Sequence, residues 1–302
     1  MDKITQNLLE KIANLHDIPS NGATSVRKNG KSVIKSSENI IISKKSDNSG
    51  IDIVIKKSCQ GEACHIPVVI TEQGITDVVQ NDFYVEDGAV VTIVAGCGIH
   101  ANGDSSHEGV HTFHVGCNAK VTYVENHLAV GEGKNKNINP TTKIILESNA
   151  VMVMNTTQIG GVDCSIRKTT ARLKDGAYLE VNEKILTDRF NIAKTDFKVD
   201  LLGENSKCVL SSKSVAKGES EQVFKSDLVG KSLCYGRVEC DAILLDEANV
   251  VSVPKITAKD RRATLNHEAT IGKIANEQLT KLMTLGLTEK QAEEKIIAGF
   301  LK

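Results

Sequence analysis

Tryptophan is absent from this 302-residue chain, and aromatic residues together make up 3%. That removes the ring platforms on which a carbohydrate-active solenoid enzyme would stack sugars, and it leaves Val, Ile, Leu and Ala to fill the core. Excess charge of either sign is also missing: 37 Lys and Arg stand against 38 Asp and Glu, a net charge of −1. A nucleic-acid binder relying on a general basic field is thereby excluded. No run approaches the roughly 18 uninterrupted apolar residues of a membrane span. The opening Met1-Asp-Lys-Ile-Thr-Gln6 has no apolar signal core, so the expected location is the cytoplasm. Nowhere does Gly-x-x-x-x-Gly-Lys-Ser/Thr occur, so any ATP hydrolysis is expected from a partner and not from this chain.

What is present reads as a globular protein, 40% hydrophobic and 25% charged, long enough for one large domain or two ordinary ones. Eight cysteines in a chain of this length do not make a secreted disulfide framework; a reducing compartment with free or metal-bound thiols is expected. Ile4, Leu8, Leu9, Ile12 and Leu15 predict an amphipathic helix over 2–16, ended by Pro19 and Asn21-Gly22. From about residue 24 the period becomes two. Asn39–Lys45 and Ile51–Lys57 read as strands split by Asp47-Asn-Ser-Gly50.

A repeat runs through the middle. Val85-Glu-Asp-Gly-Ala89, Val115-Gly-Cys-Asn-Ala119, Leu146-Glu-Ser-Asn-Ala150, Leu173-Lys-Asp-Gly-Ala177 and Leu202-Gly-Glu-Asn-Ser206 each precede a strand-like run, and Leu245-Asp-Glu-Ala-Asn249 is a looser copy. The small residues lie 30, 31, 27 and 29 apart by subtraction. A lone strand pair cannot bury its apolar face, whereas stacked coils make a continuous core with tight Gly, Asn or Asp corners. The expected fold is mainly β, a right-handed parallel β-helix over 26–260, with an N-terminal helix in 1–25 and a helical segment over 261–302. A large antiparallel sandwich is the competing arrangement. After Ala269 the period returns to about 3.6, with Thr288 and Gln291 set as a capping box and Gly286 between two helices.

Two groups of residues could carry chemistry. Cys240, His267 and Glu268 offer thiolate, imidazole and carboxylate, donors that iron and zinc accept, at an expected strand-to-helix junction. The second group is Cys59, Cys64, His65, Cys97, His100, His107, His111, His114 and Cys117. Cys97-Gly-Ile-His100 has the spacing that lets two ligands meet one metal at a turn. Against that, His111 and His114 are an odd number apart and would face opposite ways on a strand. A zinc or iron binding solenoid centred on 59–117 is the alternative function. Cys164, Cys208 and Cys234 read as packing residues.

Cys240-Asp-Ala-Ile-Leu-Leu245, His267-Glu-Ala-Thr-Ile-Gly-Lys-Ile274, Glu277-Gln-Leu279, Met283-Thr-Leu-Gly-Leu-Thr-Glu-Lys-Gln-Ala292 and Ile297-Ala-Gly-Phe300 resemble the SufB/SufD family. The likeness is dense over about 240–300 and diffuse over about 50–240. It implies a short, stand-alone SufB-like scaffold on which a transient iron–sulfur cluster, [4Fe-4S] or [2Fe-2S], is built. Cys240 would be the thiolate ligand, Glu268 an oxygen ligand and His267 an imidazole ligand or proton acceptor. Asn266 stands where SufB members usually carry Glu. The implied partners are a SufC-like ABC ATPase, a second copy of the chain in a homodimer, a cysteine-derived sulfur donor and apo acceptor proteins. Leu279, Leu282, Met283, Ile297 and Phe300 would dock the ATPase.

Overall fold

Five of the six copies of the repeat make the same corner, and the looser copy at Leu245 turns instead with Asp246 at φ 56°. The amide of the small residue closes onto the carbonyl three positions back: Ala89 on Glu86, Ala119 on Gly116, Ala150 on Glu147, Ala177 on Lys174 and Ser206 on Gly203. The residue just before it takes a left-handed φ, 75° at Gly88, 58° at Asn118, 57° at Asn149, 66° at Gly176 and 59° at Asn205. Gly and Asn enter that conformation at the lowest cost, which is why they recur there. The five small side chains are completely buried.

These corners wind the chain into a β-solenoid of about 8 turns, 60% strand, in a computed structural model that describes residues 2–15, 22–101, 103–133 and 135–302. Helix α1 (Lys3–Ala13) comes first, followed by two hairpins, β1 (Ala23–Lys28) with β2 (Lys31–Lys35) and β3 (Ile40–Lys44) with β4 (Gly50–Ile55). The coils use β5 (Gln60–Ile70), β6 (Thr76–Val85), β7 (Val90–His100), β8 (Ser105–Val115), β9 (Lys120–Val130), β10 (Lys136–Ile138), β11 (Thr141–Leu146) and β12 (Val151–Ile159). They continue through β13 (Cys164–Leu173), β14 (Tyr178–Thr187), β15 (Ile192–Leu201), β16 (Ser206–Ala216), β17 (Glu221–Gly230) and β18 (Cys234–Leu244). The last coil is β19 (Asn249–Ala258) and β20 (Thr264–Gly272), and α2 (Asn276–Thr284) and α3 (Glu289–Phe300) close the chain.

The strands form two sheets. The first runs β2-β1-β5-β7-β9-β12-β14-β16-β18-β20, the second β19-β17-β15-β13-β10-β8-β6-β4-β3, with β11 beside β8 and β13. Among the described residues only the two hairpins pair antiparallel. The parallel expectation is met everywhere except there, where the sequence reading missed the Asn29-Gly30 turn, with φ 47° and 81°. Two positive φ values are what a tight two-residue hairpin requires.

One half of the interior is an aliphatic and aromatic stack. Phe83 and Phe113 lie 4.3 Å apart and nearly parallel, and Tyr123 meets Phe113 edge-on. Helix α1 packs Leu8, Leu9 and Ile12 on the outside of the first sheet. A Cβ at Gly96 would stand 3.1 Å from that of Ile12 and 2.5 Å from the Asn126 carbonyl, so glycine lets the helix approach. The α1 helix ends at Ala13 and β1 begins at Ala23; Pro19 and Asn21 lie outside the described residues. At the other end the Thr288–Gln291 capping box forms, and Gly286 takes φ 90° between the helices. The expected return to helix at Ala269 is corrected: β20 continues to Gly272 because its backbone pairs with β18, and α2 starts only at Asn276. No helix among the described residues is long and apolar enough to cross a membrane.

Candidate functional site

The last coil places the residues singled out at 240–268. In the β18–β20 ladder Val238 is opposite His267, Glu239 opposite Glu268 and Cys240 opposite Ala269. Alternation therefore turns Cys240 and His267 to the inside, as diagonal neighbours, and Glu268 to the outside. Cys240 is 1% exposed, and burial pushes its thiol up from the ordinary range. Burial also lowers the His267 imidazole, favouring its neutral, ligating form. Glu268 meets Arg237 Nη2 at 3.1 Å, and Arg237 also pairs with Glu239. One strand thus presents a nitrogen donor inward and a carboxylate outward. His267 and Glu268 sit within a strand and do not open a helix.

This end of the solenoid is short of partners. Five of the eight buried side-chain N and O atoms left without a partner among the described residues lie on β17 to β20: Ser226 Oγ, Ser252 Oγ and His267 Nε2 on inward-facing side chains, with Ser252 against the Cys240 thiol, and Asp227 Oδ1 and Arg237 Nε on outward-facing ones. Buried polar atoms are ordinarily satisfied. Both end strands are sheet edges, and Val251, Val253, Ile256 and Ile271 are 40–45% exposed.

The residues of the 59–117 group are dispersed by the same alternation. Cys59 and Cys64 are buried in the core, with Cys59 Sγ on the Val90 carbonyl at 3.2 Å and the Cys64 thiol pushed up to about 12 by burial. Cys97 and His100 lie on β7, not at a turn, and their odd separation sends them to opposite faces. His107 Nδ1 is 3.0 Å from Asp77 Oδ2, and His111 Nδ1 is 3.2 Å from the Tyr123 hydroxyl, both inside. His114 faces out and stacks on Tyr84 at 5.1 Å. His65 is half-buried beside Thr24 and Val94 in the ladder, and Cys117 is half-buried in the corner after β8. Among the described residues no three His, Cys, Asp or Glu side chains are arranged to hold a metal ion. Cys208 and Cys234 are buried packing residues, and Cys164 is half-buried.

Sequence reasoning overlooked a buried charge network in the other half of the interior. Arg167 pairs with Glu125 and lies 3.5 Å from Glu183 and 3.3 Å from His127 Nδ1. Glu183 accepts from Thr195 and Ser212, both at 2.9 Å. Burial pulls both carboxyls up; the Arg167 charge reverses this at Glu125, which lies well below its usual range, while Glu183 stays raised. Burial lowers His111 to about 4. The signal was available: Val121, Tyr123, Glu125 and His127 occupy one inward phase, so the charges break an otherwise apolar alternation. From Glu183 the polar lining continues through Thr195, Ser212, Ser214 and Gln222 to Cys240.

A family model described as "SUF system FeS cluster assembly, SufBD core domain" matches residues 68–300. The chain belongs to the SufBD family. An iron-sulfur cluster assembly SufBD family protein of Methanocaldococcus jannaschii is 27% identical over 276 residues, covering 89% of this chain and 86% of the relative. One from Archaeoglobus fulgidus is 26% identical over 80% of this chain and 64% of its own length. Another, from Pyrococcus horikoshii, is 31% identical over 54% and 37%. The SufBD core of this chain includes the Arg167 network, the open end coil and the whole of α2 and α3. Helix α1 and both hairpins precede it.

Proposed function

We propose that this SufBD protein is a scaffold subunit on which an iron–sulfur cluster is built as cargo at the open end coil. The observation that supports this best is the inward-facing Cys240 thiol set diagonally beside His267, whose buried Nε2 has no hydrogen-bond partner and whose imidazole is held neutral. Cys240 would supply the thiolate, releasing its proton as iron binds, since the thiolate is the ligand. His267 Nε2 would supply nitrogen, and Glu268 would join from the rim. A set with one thiolate per chain holds iron–sulfur units less firmly than four cysteines, which suits a cluster made to be passed on. Pairing of two end coils would double the donors and cover the exposed edges of β19 and β20, giving a homodimer.

The proposed ATPase dock is the α2–α3 pair. Ile297, with half-buried Leu279 and Phe300, packs on Val215 and Ile243 of the first sheet. Leu282 is half-buried, while Met283 and Leu285 remain 44% and 75% exposed, an apolar surface that a SufC-like ABC ATPase would cover. The sulfur donor and acceptor proteins follow from the same reading.

Anaerobic reconstitution of Cys240→Ser tests the site. The variant should fold as wild type by circular dichroism and lose most bound iron and acid-labile sulfide; normal loading would place assembly elsewhere. Deleting 275–302 should abolish co-purification with the ATPase and leave the β signal intact.

A further inference from the structure

The outer face of the second sheet is bare, whereas α1, α2 and α3 all pack on the first. Across β11, β13, β15 and β17 this bare face carries Lys143, Lys168, Arg172, Lys194, Lys198 and Lys225, all exposed. None of the six makes an ion pair or hydrogen bond among the described residues. The anions nearby are largely committed: Asp200 to Lys231 at 3.2 Å and Asp227 to Lys255 at 2.9 Å. Asp196 stands between Lys168 and Lys225 in the ladder, and exposed Glu221 lies at the start of β17, two carboxylates against six cations. The patch is therefore net positive on a chain whose total charge is −1.

The register explains the shape. Thr112, Lys143, Thr170 and Lys198 form one rung, and His114, Ile145, Arg172 and Asp200 the next. Neighbouring strands are about 4.8 Å apart, so Lys143 and Lys198 stand roughly 10 Å from each other with Arg172 between them. A hollow of about 340 Å³ opens inside that triangle of cations, with Thr170 and Ile145 at its floor and Asp200, whose charge Lys231 takes up, on its border. Like charges held this close repel, so the arrangement favours an anion in the hollow.

We infer that this face docks a partner protein through an acidic surface segment, one carboxylate of which seats between Lys143, Arg172 and Lys198. Charge complementarity selects the partner. The composition selects protein over nucleic acid: exposed Ile166 and half-buried Ile145 and Val223 lie among the cations, and the aromatic pair at the border, Tyr84 and His114, is stacked upon itself. Lys225 borders Val253 of the end coil, but the hollow on β11, β13 and β15 is separate from that coil and from α2–α3, so the inference stands apart from the cluster site.

The test uses the full chain with a polyglutamate peptide as probe, at low salt. Reversing Lys143, Arg172 and Lys198 to Glu should weaken binding about tenfold or more, with raised salt weakening the wild type likewise. Reversing Lys11, Lys120 and Lys207, exposed on the other side, should leave binding within a factor of about two if the patch is the site. Lys143→Gln, Arg172→Gln and Lys198→Gln together, a milder triple, should fall between and guard against misfolding. Equal weakening by both reversals, or wild-type binding by the first, overturns the proposal. So does polyuridylate of matched charge binding more tightly than polyglutamate, which would make the face a nucleic-acid site.

Discussion

The two ends of the solenoid solve the same problem in opposite ways. A stack of coils must stop somewhere, and each stop exposes an edge. At the N-terminal end the chain doubles back in two hairpins whose edge strands β2 and β3 have five residues each and carry Lys31, Lys35 and Lys44. Behind them, among the described residues, only Thr24 Oγ1 lacks a partner, and the buried charge is paired: Asp77 takes Arg27 through both oxygens at 2.6–3.0 Å and His107 at 3.0 Å. At the C-terminal end, β19 and β20 have ten and nine residues, expose valine and isoleucine, and stand over unsatisfied buried atoms. Short lysine-bearing edges resist pairing, and long apolar ones invite it. One end is covered by the chain's own hairpins, and the other leaves two long apolar edges bare among the described residues.

Damage at the covered end should therefore be a matter of stability. Asp77→Ala removes the partner of Arg27 and His107, and breaking a buried pair by deleting one member costs about 3–5 kcal/mol; urea unfolding should register it as the largest single effect. Burial raises the Asp77 carboxyl, but His107 and Arg27 outweigh it and leave it lowered to about 2. Because the folded value is depressed, the stabilisation is full above the unfolded carboxylate range and is lost as pH falls from about 4 to about 2, a term of about 2 kcal/mol. Asp77→Asn should flatten that acid limb. An unchanged limb would mean that another carboxylate carries it.

At the open end the effect should be on assembly. Val253→Glu with Ile271→Glu puts charge on both exposed edges and should shift a dimer to monomer in light scattering. Val33→Glu, on β2 and more exposed still at 57%, should leave the state unchanged. Monomerisation by the β2 change, or none by the end-coil pair, would erase the distinction between the ends.

How much of this could be read beforehand varies by residue. The coil was legible because each corner needs a left-handed residue, so Gly88, Asn118, Asn149, Gly176 and Asn205 wrote the period into the chain. The C-terminal capping box was legible for the same local reason. Strand β20 was not: His267-Glu-Ala-Thr carries no breaker, and only its ladder with β18 makes it a strand. The split between inward His267 and outward Glu268 follows from that pairing, so the sequence motif alone pointed to proximity but not to face. In the 59–117 group the odd spacing of His111 and His114 already told that they face opposite ways, whereas Cys97 and His100 read as a turn pair because the extent of β7 through both was not visible. The Arg167 network was hidden by distance, its members lying 42 and 16 residues apart by subtraction at positions 125, 167 and 183.

Glu268 gives the smallest and most discriminating effect. Its carboxylate is 65% exposed and bound only to Arg237, itself on the surface. Exposed pairs contribute little to folding, so Glu268→Gln should leave the urea midpoint within experimental error. If the end coil is finished by a second copy, that same carboxylate moves from rim to interface, where losing its charge removes an oxygen donor for each chain. Reconstituted iron should then fall, though less than in Cys240→Ser, because the thiolate remains. Glu239→Gln, outward on the neighbouring strand and paired with the same arginine, is the control. A fall specific to Glu268 ties iron loading to the rim carboxylate. Equal falls in both would assign the effect to Arg237 and its local charge, and the comparison between the two ends would then rest on Cys240 and His267 alone.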